Sequence, residues 1–226
     1  MKPPLWKKWL SYLFEIHIES NPSKFNPHLY VSLKKGRYQL CTKNAVYSYE
    51  DKYDNFKQIF DQLDLRVLEG GKILILGFGL GSIPILLSKK KVKNICITGV
   101  EIDENVLYLA HKYALSKISY SMELVVADAR DYIELNREEY DLIAVDIFVD
   151  DLIPNHFQTE AFLEKCNNSL GSEGVLLYNS LAANQKDKED SEDFYFNVFT
   201  KVFPNAHLVD VRGNYIMVNL KSALIK

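Results

Sequence analysis

The run Lys72-Ile73-Leu74-Ile75-Leu76-Gly77-Phe78-Gly79-Leu80-Gly81-Ser82, followed by Gly99-Val100-Glu101-Ile102-Asp103, decides the fold. A short apolar run of β-branched residues and leucines reads as a buried strand. It breaks into a glycine-rich turn, where the backbone can bend tightly and approach a ligand. A helical apolar pattern follows, and the N-terminus of such a helix supplies N–H groups. A second buried strand then ends in Glu101, at the distance where a carboxylate takes the hydroxyls of a ribose. The pair of signals points to a nucleoside-containing ligand. A dinucleotide fingerprint would place its third glycine at position 82, which is Ser82, so the spacing leans away from a nicotinamide cofactor.

Outward from this stretch, strands and helices alternate. Strands are expected at 73–76, 95–100, 124–127, 142–146 and 175–179, with helices at 83–90, 104–116, 131–136 and 159–170. This alternation implies a mostly parallel sheet covered on both faces. A helix at 190–203 and a hairpin of 206–211 and 215–220, turning at Arg212-Gly213-Asn214, close the chain. The expected fold is therefore α/β and Rossmann-like: a seven-stranded sheet with a C-terminal antiparallel hairpin, as in S-adenosylmethionine-dependent enzymes. The charge run 186–193 reads as a solvated loop or first helical turn.

Before the glycine loop the pattern changes. Residues 14–19 alternate strictly, and 29–33, 37–41 and 45–49 read as further short strands with a turn at Lys35-Gly36. The predicted organisation is an amphipathic helix and small antiparallel β unit over 1–50, then the nucleoside-binding domain over 51–226. A helix is expected over 51–65. Tyr47, Tyr49, Tyr53 and Phe56 read mainly as core, with a lid over the site as the alternative. Leu5, Trp6, Trp9, Leu10 and Leu13 share one helical face, with Lys7 and Lys8 opposite. Packing on the protein's own body or on a second subunit is expected for that face; an interfacial membrane helix is the alternative.

Composition narrows the function classes. With 27 Lys and Arg against 30 Asp and Glu, the net charge of −3 offers no general attraction to nucleic acid or anionic membrane. No apolar run reaches the length of about eighteen residues that an integral membrane helix needs. Cys41, Cys96 and Cys166 are scattered and show no metal-ligand spacing, so no metal is expected and the reducing cytoplasm is the natural compartment. Cys96 reads as a small core residue.

Three sets of carboxylates carry the candidate chemistry. Glu101 would hold the ribose. Asp128, directly after the third strand, would accept from an adenine amine, cap the next helix, or do both. Asp146 ends the fourth strand, and Asp150 and Asp151 follow it. Three carboxylates at one crevice edge repel one another, which raises a pKa or calls for a cationic partner. An amine substrate would supply that partner and needs a carboxylate to orient it and take its proton. Solvation of a loop is the alternative for these acids.

These residues carry a resemblance. The sequence is similar to the spermidine synthase family, a branch of the class I methyltransferase fold, over roughly residues 39–179. Leu76-Gly77-Phe78-Gly79-Leu80-Gly81 resembles its nucleotide-binding loop, Val100-Glu101-Ile102-Asp103 its ribose motif and Asp128-Ala129-Arg130-Asp131 its adenine motif. The stretch 141–162 is similar to the pattern DxFxxDxIPxHxxTxEF, and Asp51 and Tyr53 match a segment before the core.

The resemblance implies S-adenosylmethionine or its decarboxylated form as donor. Gly77, Phe78, Gly79, Gly81, Glu101, Ile102, Asp128, Ala129 and Asp146 would form the donor site. Asp51 and Tyr53 would face the substrate, and Asp146, Asp150 or Asp151 would be the catalytic carboxylate. It implies aminopropyl transfer to a small-molecule amine, with a homodimer formed through the N-terminal unit as one expectation. Departures from the family keep two alternatives open: a methyltransferase using the intact donor, and a silent nucleoside-binding homologue. Leu80 stands where the family carries an aspartate for the donor's amine, Lys52 stands for a glutamate and Val46 for a glutamine.

Overall fold

The structure, a computed structural model, describes residues 3–225. In chain order its elements are α1 (Leu5–Leu10), β1 (Ile16–Ser20), β2 (Tyr30–Lys34), β3 (Arg37–Cys41), β4 (Val46–Ser48) and α2 (Asp54–Phe60). The central part runs β5 (Lys72–Leu76), α3 (Ser82–Lys89), β6 (Cys96–Glu101), α4 (Glu104–Tyr113), β7 (Ser121–Val126), α5 (Ala129–Leu135) and β8 (Tyr140–Val145). It ends with α6 (Glu160–Asn168), β9 (Leu170–Leu181), α7 (Gln185–Phe194), β10 (His207–Asp210) and β11 (Asn214–Val218).

The seven-stranded sheet has the order β10-β11-β9-β8-β5-β6-β7. The pairs β9/β8, β8/β5, β5/β6 and β6/β7 are parallel, whereas β11 runs antiparallel to both of its neighbours. The alternation along β5 shows why an unbroken apolar run is needed here. Ile73 and Ile75 enter one core, with β1–β4 and helices α2, α3 and α4; Leu74 and Leu76 enter the other, with α5, α6 and α7. Strand order reverses between β5 and β8, so their C-terminal ends diverge into a crevice, the usual ligand position in such sheets.

The N-terminal unit is an antiparallel meander, β1-β2-β3-β4. Lys35 and Gly36 both take positive φ, which gives the two-residue turn whose twist suits a hairpin. Leu29, Val31, Leu33 and Leu40 are buried in the same core as Ile73 and Ile75. This unit therefore forms one wall of the molecule's main apolar interior.

Several local expectations are corrected. The 51–65 helix is broken: Glu50 has φ 44, residues 50–52 form a 3-10 turn, and the helix proper begins at Asp54 and ends at Phe60. The charge run 186–193 lies inside α7, where the Asn184 side chain accepts from the Asp187 N–H as N-cap and Phe194 anchors the far end. Cys96 begins β6 and is exposed, because the alternation buries Ile97 instead. In α1, Lys7 and Lys8 are the half-buried residues while Leu5, Trp6 and Trp9, with Leu13 just beyond the helix, face outward, so this apolar face does not pack on the protein's own body. Among the described residues, no helix is long and apolar enough to cross a membrane.

Candidate active site

A cavity of ≈ 830 Å³ opens over the C-terminal ends of β5, β6, β8 and β9. Its floor is set by a close backbone approach. Gly77 has φ 89, and a Cβ there would lie 2.2 Å from the Asp146 carbonyl oxygen. Only glycine lets the end of β5 come this near the end of β8. The Asp146 N–H donates to the Leu76 carbonyl at 2.8 Å, and the Gly77 N–H donates to that of Val100 at 2.9 Å.

Glu101 lines the cavity at the end of β6 and accepts from the backbone N–H groups of Gly79 and Asp103, both at 3.2 Å. Burial pushes its carboxyl up to about 7, and those two donors temper the rise. Two backbone donors leave further acceptor positions on the two oxygens, which suits a pair of ribose hydroxyls. Asp103, two residues on, is buried and does not line the cavity. It caps α4 through the Asn105 N–H and accepts from Ser23 Oγ and Asn26 Nδ2.

Asp128 both lines the cavity and caps α5, accepting from the Arg130 N–H at 2.7 Å. Ile102 and Ala129 are also cavity-lining. Phe78 and Gly81 are not. The Phe78 ring is buried beneath the loop against Gly99, where a Cβ would lie 2.3 Å from the ring. Gly81 caps α3 in the left-handed region. Leu80 is fully buried within the core and likewise does not reach the cavity. The expected free N-terminus of α3 is covered: Ser82 Oγ accepts from the Tyr49 N–H at 3.0 Å and contacts Ser48 Oγ.

The three clustered acids are separated by their partners. Asp146 accepts from Tyr53 Oη at 2.8 Å and from Asn179 Nδ2 at 2.7 Å. Burial pushes it up to about 6, against the pull of those two donors. Like-charge crowding, the cause expected from sequence, is not what raises it. Asp150 turns to the β3–β4 loop, accepting from Thr42 Oγ1 and from the Asn44 backbone at 3.0 Å and side chain. Burial opposes its charge, but these donors hold it below the usual carboxylate range. The Asp150 N–H donates to Tyr47 Oη, whose own proton goes to Asn26 Oδ1 at 2.9 Å. Asp151 is exposed at the cavity rim.

Asp51, expected to face the substrate, lies outside the cavity lining. Burial would raise its carboxyl, yet Arg37 and Lys89 overcome this and bring it to about 2. It fastens the 3-10 turn before α2, which in turn sets Tyr53. Tyr47, Tyr49 and Tyr53 all line the cavity, and of the four aromatics only Phe56 is core. Sequence reasoning missed Asn179 and Asn26, which also line the cavity. A polar residue at the C-terminal end of a strand beside the crevice was the available signal for Asn179.

A crevice-lining glycine loop, an acid ending β6 and a capping acid after β7 sit in an α/β fold of the class I methyltransferase-like type. The solved structures agree on that fold. Spermidine synthase in complex with the transition-state analogue AdoDATO superposes with a TM-score of 0.68 at 18% identity, covering 90% of this chain and 71% of that one. Fibrillarin of Aeropyrum pernix with natively bound S-adenosyl-L-methionine gives 0.51 at 17% identity, covering 89% and 98%. The sequence matches the spermine/spermidine synthase domain over residues 27–211, and the chain belongs to that family. A polyamine aminopropyltransferase of Vibrio vulnificus is 31% identical over 156 residues, 68% of this chain and 51% of that protein. The chain thus spans about half the length of this curated relative.

Proposed function

We propose that the protein is a transferase that binds a decarboxylated S-adenosylmethionine-type donor and passes its aminopropyl group to a small-molecule amine. The observation that carries this reading is Asp146: a carboxylate buried at the β5/β8 crevice, held by Tyr53 and Asn179, with acceptor capacity left over. Family membership and the aminopropyltransferase relative support it. Glu101 would take the ribose hydroxyls, Asp128 and Ala129 would meet the adenine, and Gly77 and Gly79 would let the donor lie against the backbone.

The sulfonium of the donor supplies an already activated carbon, so the chain's task is to align and deprotonate the amine. Asp146 orients the acceptor ammonium and takes one proton, freeing the lone pair. The nitrogen then bonds to the aminopropyl carbon while the carbon–sulfur bond breaks, its electron pair going to sulfur. Tyr53 and Asn179 keep the Asp146 oxygens in place, so the carboxylate is not free to rotate away. Asp150, committed to Thr42 and Asn44, fixes the loop above the acceptor. Asp151, free at the rim, would attract the incoming cation.

The burial of Leu80 favours a second reading, a methyltransferase using the intact donor, because the glycine loop offers no acid to a donor amine. Titration calorimetry with both donors and with methylthioadenosine, followed by turnover with putrescine, separates the two. Tight binding of the decarboxylated donor with aminopropyl transfer is expected. Binding of the carboxylated donor alone would replace the first reading by the second, and no binding of any adenosyl compound would leave a silent homologue.

We also propose a homodimer, on the outward apolar face of α1, where Trp6 and Trp9 stand 63% and 76% exposed. Light scattering should find twice the chain mass for the wild type and the single-chain mass for Trp9→Lys. A monomeric wild type ends this proposal.

A further inference from the structure

Asn179 sits near the end of β9 with 1% of its surface exposed, and it lines the cavity. Its Nδ2 donates to Asp146 Oδ1 at 2.7 Å. Among the described residues, its Oδ1 is buried and accepts no hydrogen bond. Turning the amide over does not relieve this, because Oδ1 would then face the Asp146 carboxylate, acceptor against acceptor. The network therefore fixes an unused acceptor one amide group away from the proposed base. Buried polar atoms in native proteins find partners, so an orphan acceptor on a cavity-lining residue marks where a ligand donor belongs.

Resting on the transfer reading above, the count of hydrogens says which donor. A primary ammonium carries three N–H bonds. One proton goes to Asp146, and the freed lone pair must point at the carbon under attack. Two N–H bonds remain, and neither has been assigned an acceptor. We propose that Asn179 Oδ1 accepts one of them, and that this contact makes the site selective for primary over N-alkylated amines.

The contact strengthens along the reaction. As the nitrogen bonds to carbon it gains positive charge, and its remaining N–H bonds become better donors. A neutral amide oxygen fixed beforehand meets that charge without reorganising. A secondary amine gives up one proton and keeps one N–H. Its alkyl group must then take the second N–H direction, so rotations that satisfy Asn179 compete with rotations that fit the alkyl group. Asn179 thus reads the substitution of the nitrogen, while Asp146 reads only its charge.

The test uses the whole chain loaded with methylthioadenosine for binding, and with the decarboxylated donor for turnover. The probes are 1,4-diaminobutane and its N,N′-dimethyl derivative, compared at pH 8.5, above the Asp146 titration. The wild type should favour the primary diamine at least tenfold, in affinity and in kcat/KM. Asn179→Leu should bring that ratio below threefold. Tyr53→Phe also removes a donor from Asp146 but leaves Asn179 in place, so it should slow turnover and keep the ratio. A wild-type ratio near one, an unchanged ratio in Asn179→Leu, or no binding of either amine overturns the proposal. Selective binding without turnover would instead overturn the transfer reading and leave the role of Asn179 standing.

Discussion

The Tyr53 hydroxyl donates to Asp146 Oδ2 at 2.8 Å, joining residues 93 positions apart in sequence. The bond unites the segment after the N-terminal unit with the end of β8. It also stabilises the charged form of a carboxylate that burial otherwise keeps protonated. Activity should therefore rise as pH increases through about 6, where Asp146 ionises.

Tyr53→Phe removes a donor that favours the carboxylate. The acid limb of kcat/KM should move upward by about 0.5–1 pH unit, and the rate at pH 6.5 should fall about two- to threefold. A pH–rate profile checks this. An unmoved limb would show that Asp146 is not the group being titrated.

Asp146 also leaves a mark on stability. Its folded pKa is raised from 3.8 to about 6, so the folded state holds a proton that the unfolded state has released. Stability is consequently lost as pH rises across that interval, with the full cost present above it. Asp146→Asn should be more stable than the wild type at pH 8 by about 1–3 kcal/mol, and equal to it near pH 3.5. Turnover should drop about a hundredfold or more. Urea unfolding at the two pH values decides; a variant that is less stable at pH 8 would contradict the burial cost assigned to this carboxylate.

As the proposed ribose ligand, Glu101 would tie nucleoside affinity to pH: its ionised form would offer the acceptors, and burial pushes its carboxyl up to about 7. Methylthioadenosine should bind about five- to tenfold more tightly at pH 8 than at pH 6. Glu101→Gln should bind at least about tenfold more weakly at pH 8, with little pH dependence left. Calorimetry at both pH values reads this, and equal affinity in wild type and variant would remove Glu101 from the ribose site.

Leu80 cannot be turned into the family's aspartate by simple replacement. Its side chain is fully buried in the apolar core. Leu80→Asp should cost about 3–5 kcal/mol of stability and add no affinity for the decarboxylated donor. Chemical denaturation and donor titration measure the two quantities; a stable variant with tighter donor binding would mean that the loop repacks toward the cavity.

Much of the sheet was legible because β5 and β8 are buried on both faces over most of their length and so carry apolar runs. The remainder depended on tertiary partners. The strand expected at 175–179 begins at Leu170, the last residue of the expected 159–170 helix, where Leu170 pairs with Tyr140 across an irregularity in the ladder. Helix α7 is charged over most of its length and folds on its Asn184 cap and its Phe194 anchor. Glu101, Asp128 and Asp146 were readable from their places after strands. The pairing of Asp51 with Arg37 was not legible, because a matching residue type says nothing about its partner. Asn179 was overlooked because its meaning comes from Asp146, which reaches it only through the folded sheet.

Hydrogen bonds run from Asp103 through Asn26 and Tyr47 to Asp150, linking the helix after the ribose strand, the N-terminal segment and the loop after β8. The seven-stranded half is therefore tied to the N-terminal segment rather than bounded from it. A shortened protein starting at β5 would retain Glu101, Asp128 and Asp146 but strip the tyrosines from above them and uncover Ile73 and Ile75. Engineering that treats residues before β5 as a detachable module would yield a floor without walls; transplanting the site into another scaffold requires moving the meander with it.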